Sequence, residues 1–177
     1  TDSSALVNRA TQGLYPPGST FKIITALEYM RENENYADYS YQCNGKYVVD
    51  NSKINCYNRI SHGNVNLEES FADSCNSSFA NIGTTLDITS WKSLCDQLLF
   101  NQKLPISFEY SMSSFSLDED ATTDDVLQTA IGQGKTLVSP MHMAMICSSV
   151  ANGGVMPRPY LVESVTKGST VIKSGRT

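Results

Sequence analysis

Ser19 and Lys22 stand three residues apart, directly after Tyr15-Pro16-Pro17-Gly18. A hydroxyl beside an amine is the raw material of nucleophilic acyl transfer. A serine hydroxyl is a weak nucleophile until a neighbouring base takes its proton, and a lysine amine can serve once burial lowers its pKa. Pro16, Pro17 and Gly18 sit poorly inside a helix, so they predict a tight approach. Phe21, Ile24, Thr25, Leu27 and Tyr29 then run on in a segment free of proline and glycine to about Glu34. Ser19 falls in the first turn of that helix, and a step of three residues stacks Lys22 over it on one face. The exposed N–H groups of a helix start also suit a developing oxyanion. Against this, a serine at a helix start is most often a cap, and Ser-x-x-Lys is a short pattern that arises by chance. The surrounding sequence decides.

A second polar pair, Ser74 and Asn76, lies in Leu67-Glu68-Glu69-Ser70-Phe71-Ala72-Asp73-Ser74-Cys75-Asn76-Ser77-Ser78-Phe79-Ala80. Residues two apart point to different faces of a continuous helix, so both can enter one cleft only if the helix is interrupted there. Such a hydroxyl could relay a proton beside Lys22, and such an amide could hold a substrate carbonyl. Taken alone, the pair reads more readily as polar capping of the next helix.

Taken together, these segments resemble the class B, monofunctional penicillin-binding protein transpeptidases, a family with Ser-x-x-Lys, Ser-x-Asn and Lys-Thr-Gly elements. Asn8-Arg9-Ala10-Thr11-Gln12-Gly13-Leu14 leading to Tyr15-Pro16-Pro17-Gly18-Ser19 is similar to the family's approach to its nucleophile. Ile131-Gly132-Gln133-Gly134, Val138-Ser139-Pro140-Met141-His142-Met143-Ala144 and Ala151-Asn152-Gly153-Gly154 resemble its connecting region, and the blocks occur in the family's order. The resemblance implies a D,D-transpeptidase with catalytic Ser19, Lys22 and Ser74 and substrate-binding Asn76. Ser19 would attack the carbonyl between the two D-alanines of a peptidoglycan stem peptide. A neighbouring strand's amine would resolve the acyl-enzyme, and β-lactam antibiotics would acylate Ser19 as slow-leaving mimics. A D,D-carboxypeptidase or β-lactamase on the same fold, or a non-catalytic penicillin sensor, remains open. The resemblance further implies a glycosyltransferase partner and the extracytoplasmic face of the bacterial membrane, reached through an N-terminal anchor that this chain does not contain.

The third element is less clear. Gly134-Lys135-Thr136-Leu137 has leucine where glycine is needed. Lys173-Ser174-Gly175 fits by letters but follows Pro159–Val165 and the turn Thr166-Lys167-Gly168-Ser169, which read as a hairpin. In the family that hairpin precedes the true motif, so its location stays open. A phosphate-binding loop ending at Gly134-Lys135-Thr136 would need glycine at Thr129. Eighteen residues precede Ser19 without a persuasive strand. The expected fold class is therefore α+β and mainly helical: the nucleophile helix and helical subdomain of a transpeptidase. Residues 1–177 would form one partial domain without the upstream strands and the third-motif strand, acylating poorly by itself.

Composition agrees with one globular unit. The chain has 177 residues, 40% of them apolar, and a net charge of −5 from 18 acidic and 13 basic side chains. No basic stripe forms, which argues against nucleic acid as a partner. No apolar run approaches the ~20 residues that span a bilayer. Five cysteines (Cys43, Cys56, Cys75, Cys95 and Cys147) follow no disulfide-scaffold spacing. Cys43 and Cys56 bracket a hairpin and could be opposed as a disulfide in an oxidising compartment. Cys95 and Cys147 lie on apolar helix faces and read as buried thiols. Cys75 has no histidine placed by sequence to activate it as a nucleophile. A zinc site from His62, Cys43 and Cys56 is conceivable but matches no usual ligand spacing; the expectation is no metal, no cofactor, and structural roles for His62 and His142.

The remaining elements expected are a hairpin of 46–49 and 53–57 about Asp50-Asn51-Ser52 and a helix opened by an Asn66/Glu69 capping box. A further helix starts near Thr89 with Trp91, Leu94, Cys95 and Leu98 on one face. Residues 101–123 read as loop, with Asp118-Glu119-Asp120 as solvated surface. A short helix follows from Thr123 to about Ile131, and another opens at Ser139-Pro140 and stops at Gly153.

Overall fold

The helix that follows the Pro-Pro-Gly approach is placed by Phe21, whose ring is fully buried with centroids 6.2, 6.1 and 6.1 Å from Trp91, Phe100 and Phe115. The structure is a computed structural model and describes residues 6–174. Chain direction changes at Gly18 (φ +57°), and Gly18–Phe21 form one 3₁₀ turn before the α-helix proper, α1, Lys22–Glu32. The expected single helix from Ser19 to Glu34 is thus a tight turn followed by a shorter helix. It ends because Asn33 turns to an extended backbone while its N–H and its side-chain Nδ2 both donate to the Tyr29 carbonyl, occupying one of the carbonyls a helix end leaves open.

Among the described residues, six short strands form three antiparallel pairs. Strands β1 (Tyr41–Cys43) and β4 (Gly63–Val65) pair with Cys43 opposite Gly63. Between them β2 (Lys46–Val49) and β3 (Ser52–Asn55) form the expected hairpin, turning at Asp50-Asn51. The last pair, β5 (Ser164–Lys167) and β6 (Thr170–Ser174), is the expected hairpin and turns at Gly168-Ser169, the second half of the four-residue turn read from the sequence.

The helices obey their caps. Helix α2 (Leu67–Ala72) opens with the Asn66/Glu69 capping box in full, worth about 1 kcal/mol for the cap alone. Helix α3 (Asn76–Gly83) follows after a break, and α4 (Ile88–Gln97) starts at Asp87, whose carboxylate accepts from the Ser90 N–H. Trp91, Leu94 and Cys95 of α4 are buried, with Leu98 packed beside them. Residues 101–121 hold no helix, as expected, and Asp118, Glu119 and Asp120 are exposed. Helix α5 (Thr123–Ala130) carries a Thr122/Asp125 capping box, and α6 (Pro140–Ala151) is capped by Ser139 with proline at its first position. Cys147 is exposed, contrary to expectation. The inward face of α6 is instead His142, Met143, Met145, Ile146 and Ser149, and Cys147 points away from it. His142 is structural: its ring is fully buried and Nε2 lies 2.7 Å from the Leu98 carbonyl oxygen. No helix among the described residues is long and apolar enough to cross a membrane.

One core runs through α1, α3, α4, α5 and α6, with Phe21, Ile24, Phe79, Trp91, Leu127 and Ile146 fully buried. The turn that carries Ser19 is tied to it from two sides. Tyr15 and Val138 exchange N–H···O bonds of 3.0 and 2.9 Å, and the Gly18 N–H donates to the Gly132 carbonyl at 2.7 Å. Gly132 has φ +76°, and a Cβ placed on it would overlap the Gly18 carbonyl group. Thr25 of α1 adds a hydroxyl bond of 3.0 Å to the Ala130 carbonyl at the end of α5. The Ile131-Gly132-Gln133-Gly134 block is the clamp on the turn that carries Ser19.

Candidate active site

Lys22 begins α1 with only 1% of its surface exposed, and a buried ammonium must find acceptors for three N–H groups. It finds three: the Ser74 carbonyl at 2.7 Å, Ser74 Oγ at 2.9 Å and Asn76 Oδ1 at 2.7 Å. All are neutral. Among the described residues no carboxylate pairs with Lys22. Burial brings its pKa down to about 8, opposed by the nearby Cys75 and Cys56 sulfurs. Its Nζ also lies 5.4 Å from the centroid of the buried Phe79 ring, an attraction that favours the charged form.

Ser74 and Asn76 reach the same cation because the helix is broken between them and the preceding turn. Helix α2 ends at Ala72, Ser74 takes a left-handed backbone (φ +51°), and α3 resumes at Asn76. The Cys75 N–H closes the corner on the Ser70 carbonyl at 2.9 Å. The interruption that the Ser-x-Asn spacing demanded is therefore present. Neither side chain caps α3, whose N-cap is Cys75 without a side-chain bond. Asn76 is oriented from both ends: Oδ1 accepts from Lys22, while Nδ2 donates to the Asn55 carbonyl at 3.1 Å. Asn55, at the end of β3, went unnoticed in the sequence because a backbone acceptor leaves no residue-type signal.

Ser19 is exposed on the 3₁₀ turn. Lys22 is one turn on, but its three hydrogen bonds go to Ser74 and Asn76, and none goes to Ser19. The structure brings Lys22, Ser74 and Asn76 into direct contact and sets Ser19 at the mouth of the same turn. The N–H groups of that first turn lack intrahelical acceptors.

The two imitations of a third motif fall elsewhere. Lys135 is exposed and pairs with Asp125 at 3.1 Å. Lys173 and Ser174 lie in β6, opposite Val165 and Ser164 of the β5–β6 pair; Gly175 lies outside the described residues.

Directly behind Ser74 and Asn76, Cys75 meets Cys43, Cys56 and His62, with all four donor atoms within 4.8 Å of one another. The Cys43–Cys56 disulfide that the hairpin suggested is not formed. Both are free thiols with sulfurs 3.8 Å apart, beyond bonding distance, and the Cys75 sulfur lies equally close to Cys56. His62 joins them, its Nδ1 3.3 Å from Cys43 Sγ.

The family described as "Penicillin binding protein transpeptidase domain" matches residues 1–176. The chain is 29% identical over 167 residues to the peptidoglycan D,D-transpeptidase PbpA of Mycolicibacterium smegmatis, covering 92% of this chain and 34% of the relative. It is 30% identical over 160 residues to stage V sporulation protein D of Bacillus subtilis, covering 86% of this chain and 24% of that protein. Among solved structures, penicillin-binding protein A of M. tuberculosis as a penicillin G acyl-enzyme complex superposes with a TM-score of 0.86 at 26% identity, over 98% of this chain and 41% of that one. The chain thus spans about a quarter to a third of the length of these curated relatives. With its break between α2 and α3, its clamped Ser19 turn and a family match over residues 1–176, the chain belongs to the penicillin-binding protein transpeptidase domain family.

Proposed function

We propose that the full-length protein is a peptidoglycan D,D-transpeptidase working through a Ser19 acyl-enzyme, with β-lactams acylating the same residue. The observation that carries this reading is Lys22: a buried amine held only by neutral acceptors, its pKa lowered by burial to about 8. A lysine paired to a carboxylate would stay charged. This one can give up its proton and accept that of Ser19, so that Oγ attacks the carbonyl between the two D-alanines. The negative oxygen of the tetrahedral intermediate is stabilised by backbone N–H groups, one of them from Ser19 in the first turn. Ser74 Oγ, 2.9 Å from Lys22 Nζ, passes the proton on to the leaving D-alanine amine. Asn76 holds the substrate amide. The acceptor strand's amine then attacks the ester, its proton returns along the same path, and Ser19 is regenerated with a cross-link formed.

The resting hydrogen bonds also say what must change first. With all three Lys22 protons engaged, the amine has no lone pair for Ser19, so loss of one proton precedes attack. We place this action on peptidoglycan outside the cytoplasmic membrane, where an N-terminal anchor and a glycosyltransferase partner would hold the full-length protein over its substrate.

The test uses full-length protein, a D-Ala-D-Ala stem peptide and an amine acceptor. Transpeptidation predicts a cross-linked product and a long-lived penicillin adduct. Rapid release of hydrolysed penicillin with no cross-linked product would assign a hydrolase instead.

A further inference from the structure

Three cysteines and a histidine from four separate segments converge behind the Ser74–Asn76 corner. Cys43 ends β1 and is fully buried. Cys56 follows β3, is 3% exposed and is fixed by its N–H to the Gly45 carbonyl at 2.9 Å. His62 directly precedes β4, whose first residue, Gly63, faces Cys43 across the pair. Cys75 is the fully buried N-cap of α3.

The distances have a chemical meaning. A tetrahedral ion with metal–sulfur bonds of about 2.3 Å holds its sulfurs about 3.8 Å apart, and a sulfur and an imidazole nitrogen about 3.5 Å apart. Cys43 to Cys56 and Cys56 to Cys75 are each 3.8 Å, and Cys43 Sγ to His62 Nδ1 is 3.3 Å. The widest pair lies within 4.8 Å, so closing it onto one ion takes about 1 Å of side-chain movement. What sets the cluster apart from packed thiols is its composition: three buried sulfurs and an imidazole nitrogen converge with all four donor atoms within 4.8 Å of one another.

The donors around the sulfurs agree. The Gly45 N–H points at Cys43 Sγ (3.4 Å) and the Ser77 N–H at Cys56 Sγ (3.5 Å), as outer-sphere donors do for metal-bound thiolates. Ser77 Oγ lies 3.1, 3.2 and 3.5 Å from Cys43, Cys56 and Cys75, but a hydroxyl has one proton and serves one sulfur at a time. The layer around the sulfurs is small. Its buried side chains are Cys43, Cys56, Val65 and Cys75, with Tyr41 at the edge, and its outer strands are three residues each. An ion there would join β1, β4 and the α2–α3 corner at one point.

We propose that Cys43, Cys56, His62 and Cys75 bind one structural Zn²⁺, as a closed Cys₃His site. Three soft thiolates and an imidazole select zinc over magnesium or calcium, which take oxygen ligands. On binding, each of the three thiols gives its proton to solvent and forms a metal–sulfur bond, and neutral His62 donates a lone pair. No electron is transferred. Four protein ligands leave no open position, so the ion does no chemistry of its own. Its effect is positional. Cys75 is flanked by Ser74 and Asn76, the two residues that hold Lys22, so the ion fixes the corner on which proton transfer depends. This second step rests on the function proposed above; the binding of zinc does not.

The experiment uses full-length protein purified without chelator. Elemental analysis is expected to give one zinc per chain. Chelator-treated protein titrated with Co²⁺ is expected to develop the visible bands of tetrahedral cobalt and a thiolate charge-transfer band, saturating at one equivalent. His62→Ala, at a half-buried position outside any helix or strand, is expected to weaken zinc binding on the order of 100-fold while leaving the fold measurable by circular dichroism. Substoichiometric zinc with no cobalt spectrum, an octahedral cobalt spectrum, or a disulfide among Cys43, Cys56 and Cys75 in non-reducing peptide maps would overturn the site. If zinc binds at one equivalent yet zinc-free protein acylates with penicillin at the same rate as the zinc form, the positional role is overturned and the site stands.

Discussion

Replacing Gly132 by alanine tests whether the block after α5 sets the geometry of the turn that carries Ser19. At φ +76° an alanine is held in the left-handed region, which costs about 1–2 kcal/mol. The added Cβ also overlaps the Gly18 carbonyl group. The two backbones must separate, losing the 2.7 Å bond from the Gly18 N–H to the Gly132 carbonyl, worth about 0.5–1.5 kcal/mol. Together these give a destabilisation of roughly 1.5–3.5 kcal/mol. The larger effect is on chemistry. Gly18 precedes Ser19, and a displacement near 1 Å at a reacting group costs on the order of 100-fold in rate. The assay is the rate of fluorescent-penicillin labelling of full-length protein, with urea unfolding followed in parallel. Gly154→Ala is the control: its φ is +88° and nothing lies within 4 Å of an added Cβ, so it carries strain without displacement and is expected to label at the wild-type rate. A Gly132→Ala variant that labels as fast as wild type would refute the idea that this contact positions Ser19.

The pH dependence of acylation follows from Lys22, the neutral amine being the active form. With a pKa of about 8, about one molecule in eleven is competent at pH 7 and about ten in eleven at pH 9, so the labelling rate is expected to rise about tenfold between them; a rate flat over that range would remove Lys22 as the base. Phe21→Ala empties the site between Trp91, Phe100 and Phe115 and is expected to destabilise by about 3–5 kcal/mol in urea unfolding; a loss below 1 kcal/mol would show that this aromatic cluster does not anchor the turn. Asn76→Ala removes one of three acceptors of the Lys22 ammonium and is expected to lower acylation more than it lowers stability, measured by labelling rate and urea midpoint on the same samples.

Much of the site was legible because its signals are local. Pro16-Pro17-Gly18 announced the turn, the Asn66/Glu69 box opened α2, and the two-residue step from Ser74 to Asn76 required the helix break that the structure contains. What stayed hidden is non-local. Strands β1 and β4 are three residues each and pair across the hairpin between them, too short for any alternation to register. The Gly18–Gly132 contact joins backbones, so only the glycine hinted at it. The cysteine–histidine cluster was legible in part: Cys43, Cys56 and His62 could be grouped as zinc donors but matched no usual spacing, and Cys75, from a fourth segment, was overlooked. Cys147 was misread because α6 is apolar on most sides, and only packing tells which side turns inward.

The most direct measurement is the site of covalent attachment. Full-length protein treated with penicillin G, digested and mapped by mass spectrometry, should carry one adduct on the peptide containing Ser19, and Ser19→Ala should carry none while keeping its urea midpoint. An adduct on a peptide without Ser19, or one that survives Ser19→Ala, would contradict the assignment of Ser19 as nucleophile and with it the catalytic reading of Lys22 and Ser74.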